Sequence, residues 1–127
     1  LTDQRFDADV LKLLEAEREV DIETRLPDDR TQRTTIWVVV SEGDAFVRSW
    51  RGARARWYQA AVDRPVEVAL WVAGRRLPAV AILATDGESV ARCSAALEEK
   101  YAGDPSTPSM VRPEILGTTI RLEPAHE

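Results

Sequence analysis

One cysteine, one histidine and one methionine leave this 127-residue chain almost without the side chains that form disulfides or hold metals. Cys93 has no partner for an internal disulfide. With only His126 beside it, a Cys/His metal cluster is not expected, and the chain reads as metal-free and cytoplasmic. Long apolar runs are also missing: the longest fall well short of the ~20 residues needed to cross a bilayer, and no charged-then-apolar leader opens the chain, so a soluble protein is expected. No Ser-His-Asp, Cys-His or paired-carboxylate arrangement stands out. A net charge of −5 and a pI near 5.0 argue against nonspecific nucleic-acid binding, which draws its affinity from neutralising phosphates. The length suits one domain over residues 1–127, able to bury roughly two thirds of the surface its unfolded chain would expose.

What is present is a set of short periodic segments. Asp7 to Ala16 reads as an amphipathic helix with Asp7 as its cap and Phe6 stapled onto Leu11, forming a lid (residues 1–18) on a sheet. Glu19 to Leu26 alternates as a half-wet strand that ends at Pro27-Asp28-Asp29. Thr34 to Ser41 is β-branched and apolar on both faces, the pattern of a central strand, and Glu42-Gly43 turns it into the strand Asp44 to Trp50. A short helix spans Arg56 to Val62. A second hairpin joins Val66–Val72 to Arg75–Ala84 through Ala73-Gly74, with Pro78 expected at an edge or bulge. Asp86 caps a helix to about Tyr101, Gly103 to Pro113 reads as loop, and Ile115 to Leu122 is a last strand. The order α-βββ-α-ββ-α-β is mainly β with flanking helices. Its hairpin connections suit a six-stranded split β-barrel over residues 19–124, with a ferredoxin-like α+β sheet as the alternative.

The stretch Asp44 to Tyr58 concentrates four arginines and two tryptophans around a glycine turn. From Arg30 to Arg56 there are six arginines against Glu42 and Asp44, a local excess of four positive charges in an acidic chain. Guanidinium forks beside the free N–H groups of a turn are suited to phosphate or carboxylate. Gly52 lets the backbone approach such a ligand closely. Solvated arginines and core tryptophans would give the same letters, Trp37 included. Tyr58 and Tyr101 are conceivable proton donors, and equally buried phenols satisfied by backbone groups.

Thr34 to Val40, Val47-Arg48-Ser49-Trp50-Arg51-Gly52, Trp57-Tyr58, Arg64 to Val68 and Ile120 to Pro124 together resemble the split-barrel superfamily of flavin-binding proteins, whose members include pyridoxamine-phosphate-oxidase-like enzymes. Within it they resemble the deazaflavin-dependent nitroreductase branch, through a bacterial family of short proteins close to that branch. The resemblance covers about Glu19 to Pro124. It implies a flavin- or deazaflavin-dependent oxidoreductase acting on a small organic substrate. The phosphate of FMN or a deazaflavin would lie against Ser49 to Gly52, helped by Arg33, Arg48 and Arg51, and Trp37, Trp50 and Trp57 would wall the ring or substrate. It also implies a homodimer. Asp28-Asp29 stands where the branch has a basic turn, which favours a second class: a cofactor-free barrel that binds an anionic small molecule or carries out nonredox chemistry such as isomerisation.

Overall fold

The structure, a computed structural model, describes residues 5–125. His126 and the first residues of the expected lid lie outside that range. Helix α1 (Ala8–Ala16) starts where its cap predicts, with the Val10 N–H donating to the Asp7 carboxylate at 3.0 Å. Seven strands follow: β1 (Val20–Arg25), β2 (Thr31–Ile36), β3 (Val39–Ser41), β4 (Asp44–Val47), β5 (Val68–Val72), β6 (Arg75–Leu83) and β7 (Ile120–Pro124). Helices α2 (Arg56–Asp63), α3 (Gly87–Lys100) and α4 (Thr107–Met110) sit between them. All strand pairs are antiparallel, in the order β2-β1-β5-β6-β7-β4-β3.

That order brings the two ends of the sheet together. The edge strands β2 and β3 are separated only by Trp37 and Val38, so the sheet must curl until its edges meet, giving a seven-stranded half-barrel. The expected single central strand Thr34 to Ser41, in a six-stranded count, is therefore corrected: the run bends at Trp37 and pairs with β1 before the bend and β4 after it. At the break the Val38 carbonyl accepts from Lys100 Nζ at 2.7 Å and from the Tyr101 hydroxyl at 3.4 Å. The ferredoxin-like alternative, an open sheet, does not hold. Both expected hairpin turns form, with positive φ at Glu42-Gly43 (50° and 86°) and Ala73-Gly74 (50° and 79°), as type I′ turns require.

Two apolar layers flank the sheet. Inside the curl, Ile22, Leu70, Val47 and Leu122 pack with Phe6, Val10 and Leu14 of the α1 segment and with Trp57 and Ala61 of α2. Outside it, Val39 and Phe46 pack against Cys93, Leu97, Tyr101, Met110 and Ile115. Because α3 covers its outer face, β4 is buried on both sides, and the strand expected to Trp50 ends at Val47. The strand expected from Ile115 also begins late. Pro113–Thr118 winds as a 3-10 stretch held by Thr118 and Thr119 hydroxyls donating to the Ile115 and Leu116 carbonyls, and β7 starts at Ile120. The loop Gly103 to Pro113 contains the single turn of α4. Pro78 lies in β6, an interior strand, beside the last β6–β7 pair, Ala79 with Pro124. Its missing N–H falls at that margin, where its carbonyl accepts from Ala125.

Candidate functional site

The turn after β4 is built by the four residues Ser49 to Gly52. The Gly52 N–H donates to the Ser49 carbonyl at 3.0 Å, and the Ser49 hydroxyl donates to the Gly52 carbonyl at 2.7 Å. The Ser49 N–H is in turn held by Thr118 Oγ1. Gly52 sits at φ 70°, and a Cβ there would meet Ile115 Cγ2 at 3.4 Å. The turn is thus rigid and faces outward through Trp50, 55% exposed, and Arg51, also exposed. Among the described residues neither the Trp50 nor the Arg51 backbone N–H has a hydrogen-bond partner. Arg112 holds the turn from behind by donating to the Trp50 carbonyl at 2.7 Å.

Arg48, just before the turn, points with Phe46 toward α3. It is 2% exposed, and four donations fix its guanidinium: to Thr119 Oγ1, Ser94 Oγ, and the Met110 and Val90 carbonyls, at 2.9–3.1 Å. All four acceptors are neutral. Burial pulls its pKa down, yet an arginine remains charged at any working pH. Among the described residues no carboxylate comes within ion-pair distance of Arg48, Arg51 or Arg56.

These groups open onto a cleft of about 630 Å³. Its long wall is β2 with Gln32, Thr34 and Ile36, continued by Trp37 at the bend, and opposite stand Arg48, Trp50 and Arg51 with the start of α2, Ala55 to Trp57. Arg18 and Glu19 before β1, and Asp104, Ser106 and Met110 after α3, complete it. The N-terminus of α2 has no side-chain cap, so its first N–H groups and positive dipole end add to the arginine field on this side. One face of Trp37 is stacked on Tyr101, with centroids 3.8 Å apart and 7° between the planes, which fixes its ring at the cleft wall.

Five of the sequence candidates therefore meet in one place: Trp37, Arg48, Trp50, Arg51 and Trp57. Ser49 and Gly52 shape the turn beneath them without lining the cleft, being fully buried. Arg33 is elsewhere, paired with Asp21 at 3.1 Å and lying 4.3 Å over the Trp71 ring on the other face of the sheet. Neither tyrosine lines the cleft. Tyr101 donates to the Arg18 carbonyl at 2.7 Å, and Tyr58 reaches the Gly117 carbonyl at 3.5 Å. Asp28 and Asp29 are outside it as well, paired with Arg30 and Arg64. Arg56, counted in the arginine cluster but not assigned to the phosphate, also lines the cleft; Arg18, Gln32 and Asp104 were not singled out from sequence, because no local pattern marks them and only the curl of the sheet assembles them.

A curled antiparallel half-barrel with a ligand-sized cleft at its seam defines the split-barrel class. Solved structures of that class overlay this chain. The heme storage protein HutZ from Vibrio cholerae does so at TM-score 0.70 and 14% identity, over 97% of this chain and 92% of that one. A putative pyridoxamine 5′-phosphate oxidase from Listeria innocua gives 0.65 and 13%, over 93% and 92%. An F420-H2 dependent reductase gives 0.64 and 16%, over 84% and 95%. At these identities the likeness is one of fold. No curated protein matches. The chain belongs to the family of uncharacterized proteins conserved in bacteria, DUF2255, whose profile matches residues 10–122.

Proposed function

We propose that the cleft binds a flat conjugated ligand through an anionic group, and that the protein is a flavin- or deazaflavin-dependent oxidoreductase acting on a small organic substrate. Arg48 carries this reading: a guanidinium 2% exposed, bonded only to neutral acceptors, beside two further arginines without carboxylate partners. A buried charge without a counter-ion is costly, and an anionic ligand relieves that cost. FMN or a deazaflavin fits the residues present. The cleft lies within the ~300–1,000 Å³ usual for small-molecule sites, has tryptophan on its walls and concentrates free cations near the start of α2. The fold shared with an F420-H2 dependent reductase and a putative pyridoxamine 5′-phosphate oxidase supports a redox use.

Such a cofactor, when bound, brings the electron transfer with it. The chain's own work is positional. Arg51 and Arg56 neutralise a phosphate, with the Trp50 and Arg51 N–H groups available to it, and Arg48 supplies a fixed positive field from the floor. Trp37, Trp50 and Trp57 exclude water from the ring, and Ser49 and Gly52 hold the turn in shape. Tyr58 and Tyr101 take structural parts in this scheme, as does Arg33. One split-barrel domain with α1 as its lid, acting in the cytoplasm as a homodimer, is the working form we propose.

The second reading is a cofactor-free barrel that binds an anionic small molecule or performs nonredox chemistry. The position of Arg33 favours it, since the arginine that the resemblance assigns to phosphate is committed to Asp21 away from the cleft. The absorption spectrum of the purified protein, followed by fluorescence titration with FMN and with a deazaflavin, separates the two. Bound chromophore or saturable quenching supports the first. Binding of inorganic phosphate with no affinity for either ring system supports the second.

A further inference from the structure

Buried polar atoms without a partner are rare in folded chains, because nothing replaces the hydrogen bonds with water that they give up. Among the described residues three side-chain atoms stand in that position: Thr24 Oγ1, Gln32 Oε1 and Arg25 Nε. Arg25 Nε lies 3.0 Å from the Glu67 carboxylate, so an ion pair accounts for it. The other two belong together. Thr24 on β1 and Gln32 on β2 are direct cross-strand partners. Alternation sets Thr24 on the face of Val20 and Ile22, and Gln32 on the face of Ile36, which is the inside of the curl. Side chains so placed have Cβ atoms about 4.5–5.5 Å apart, close enough for one hydrogen bond to join their ends.

Their surroundings differ. Thr24 is 1% exposed, whereas Gln32 is half-buried and lines the cleft with its amide oxygen enclosed. Arg56 stands on the same side, since it lines the cleft and also borders a depression formed with Leu26 and Pro27, the residues that follow β1. A hydroxyl both donates and accepts, and an amide turns about its last torsion between two broad wells. With the Gln32 oxygen inward, the Thr24 hydroxyl donates to it and the amide nitrogen is offered to the cleft. With the amide turned, Thr24 accepts from the nitrogen and the oxygen is offered instead.

We propose, resting on the reading of the cleft as an anion site and narrowing its ligand, that Gln32 is a specificity-determining residue that takes a neutral amide or imide group, with Thr24 as the positioning residue behind it. Arg51 and Arg56 hold the anionic group, and Gln32 reads an uncharged one on the same molecule. An apolar group in that place leaves the amide unmatched, which is how a site built for a hydrogen bond turns away an analogue that lacks it. The ligand class is a flat frame carrying one anion and one amide-type group.

The test is calorimetric titration with 4-carbamoylphenyl phosphate and 4-isopropylphenyl phosphate, which share anion, ring and shape. The native protein is expected to bind the carbamoyl compound roughly fivefold more tightly or better. Gln32→Leu, with folding confirmed by its melting, should abolish that preference through a loss by the carbamoyl compound alone. Thr24→Val removes an unpaired hydroxyl, so it should melt no lower than the native protein while the preference narrows to about twofold. A Thr24→Val protein that melts lower and keeps the full preference overturns the part given to Thr24. Equal affinities in the native protein, or a preference that survives Gln32→Leu, overturn the assignment of Gln32 and leave the anion site standing. If the preference holds but neither affinity changes in Arg51→Ala/Arg56→Ala, the anion site falls and the amide subsite stands. If neither phosphate binds the native protein, both fall.

Discussion

Arg48 shows how much one side chain decides here. Its four hydrogen bonds tie the end of β4 to α3, to α4 and to Thr119 just before β7, so it is a structural cross-link as well as the floor of the cleft. Arg48→Ala strands those acceptors and leaves a cavity, and is expected to cost about 3 kcal/mol; Arg48→Lys, with fewer donors, should lose about half as much. The urea midpoint at constant slope measures both. A basic residue at position 48 was legible in the sequence as a candidate anion ligand. Its burial was not, because the groups that cover it lie 42 to 71 positions away. Three other groups, the half-buried Lys100 and the buried Cys93 and Tyr101, set the response to alkali. Burial pulls Lys100 down to about 8, so the unfolded chain holds more protons above that pH and stability rises with pH toward the ordinary lysine value. Burial pushes the Cys93 thiol up to about 11 and the Tyr101 phenol to about 12. The stability these two contribute is complete below their unfolded values and is lost as pH climbs through the folded ones. Stability should therefore rise above about pH 8, level off between about 9 and 10, and fall beyond. Lys100→Met should remove the rise and Tyr101→Phe should flatten the fall, as read from urea midpoints across that range.

At the level of elements, the turn Ser49 to Gly52 positions everything on its side of the cleft. Gly52→Ala forces a side chain into positive φ and against Ile115, and should cost about 1–2 kcal/mol, read from the shift in thermal midpoint. The same variant should weaken ligand binding if the turn cradles an anion. Glycine pairs and caps were readable in the sequence because their chemistry is local: Asp7, Asp86, Gly43 and Gly74 all act where expected. The bend at Trp37 was not readable. A β-branched run looks the same whether it keeps one neighbour or exchanges it for another, and at the break the Val38 carbonyl is taken by Lys100, the last residue of α3, and by Tyr101 just after it. The same holds at Ile115, where alternating apolar residues read as strand although two threonine hydroxyls hold the chain in a 3-10 stretch.

For the molecule as a whole, the seam matters most. Joining the two sheet edges through two residues places the arginine turn opposite β2, and no segment taken singly contains the cleft. The barrel class was legible from the hairpin spacing, and the tryptophan and arginine candidates from composition; their meeting at one seam required the curl. A homodimer should sediment at about twice the chain mass of 14.2 kDa, and a value at the monomer mass would remove that part of the proposal.

The proposed function depends on unpaired guanidiniums receiving an anionic ligand in this cleft. Its most direct test is calorimetric titration of FMN into the native protein and into Arg51→Ala/Arg56→Ala, with folding checked by circular dichroism. We predict saturable binding by the native protein and a loss of roughly a hundredfold or more in the variant, from two charge-assisted contacts of about 1.5–3 kcal/mol each. Affinity that is the same in both proteins would contradict it.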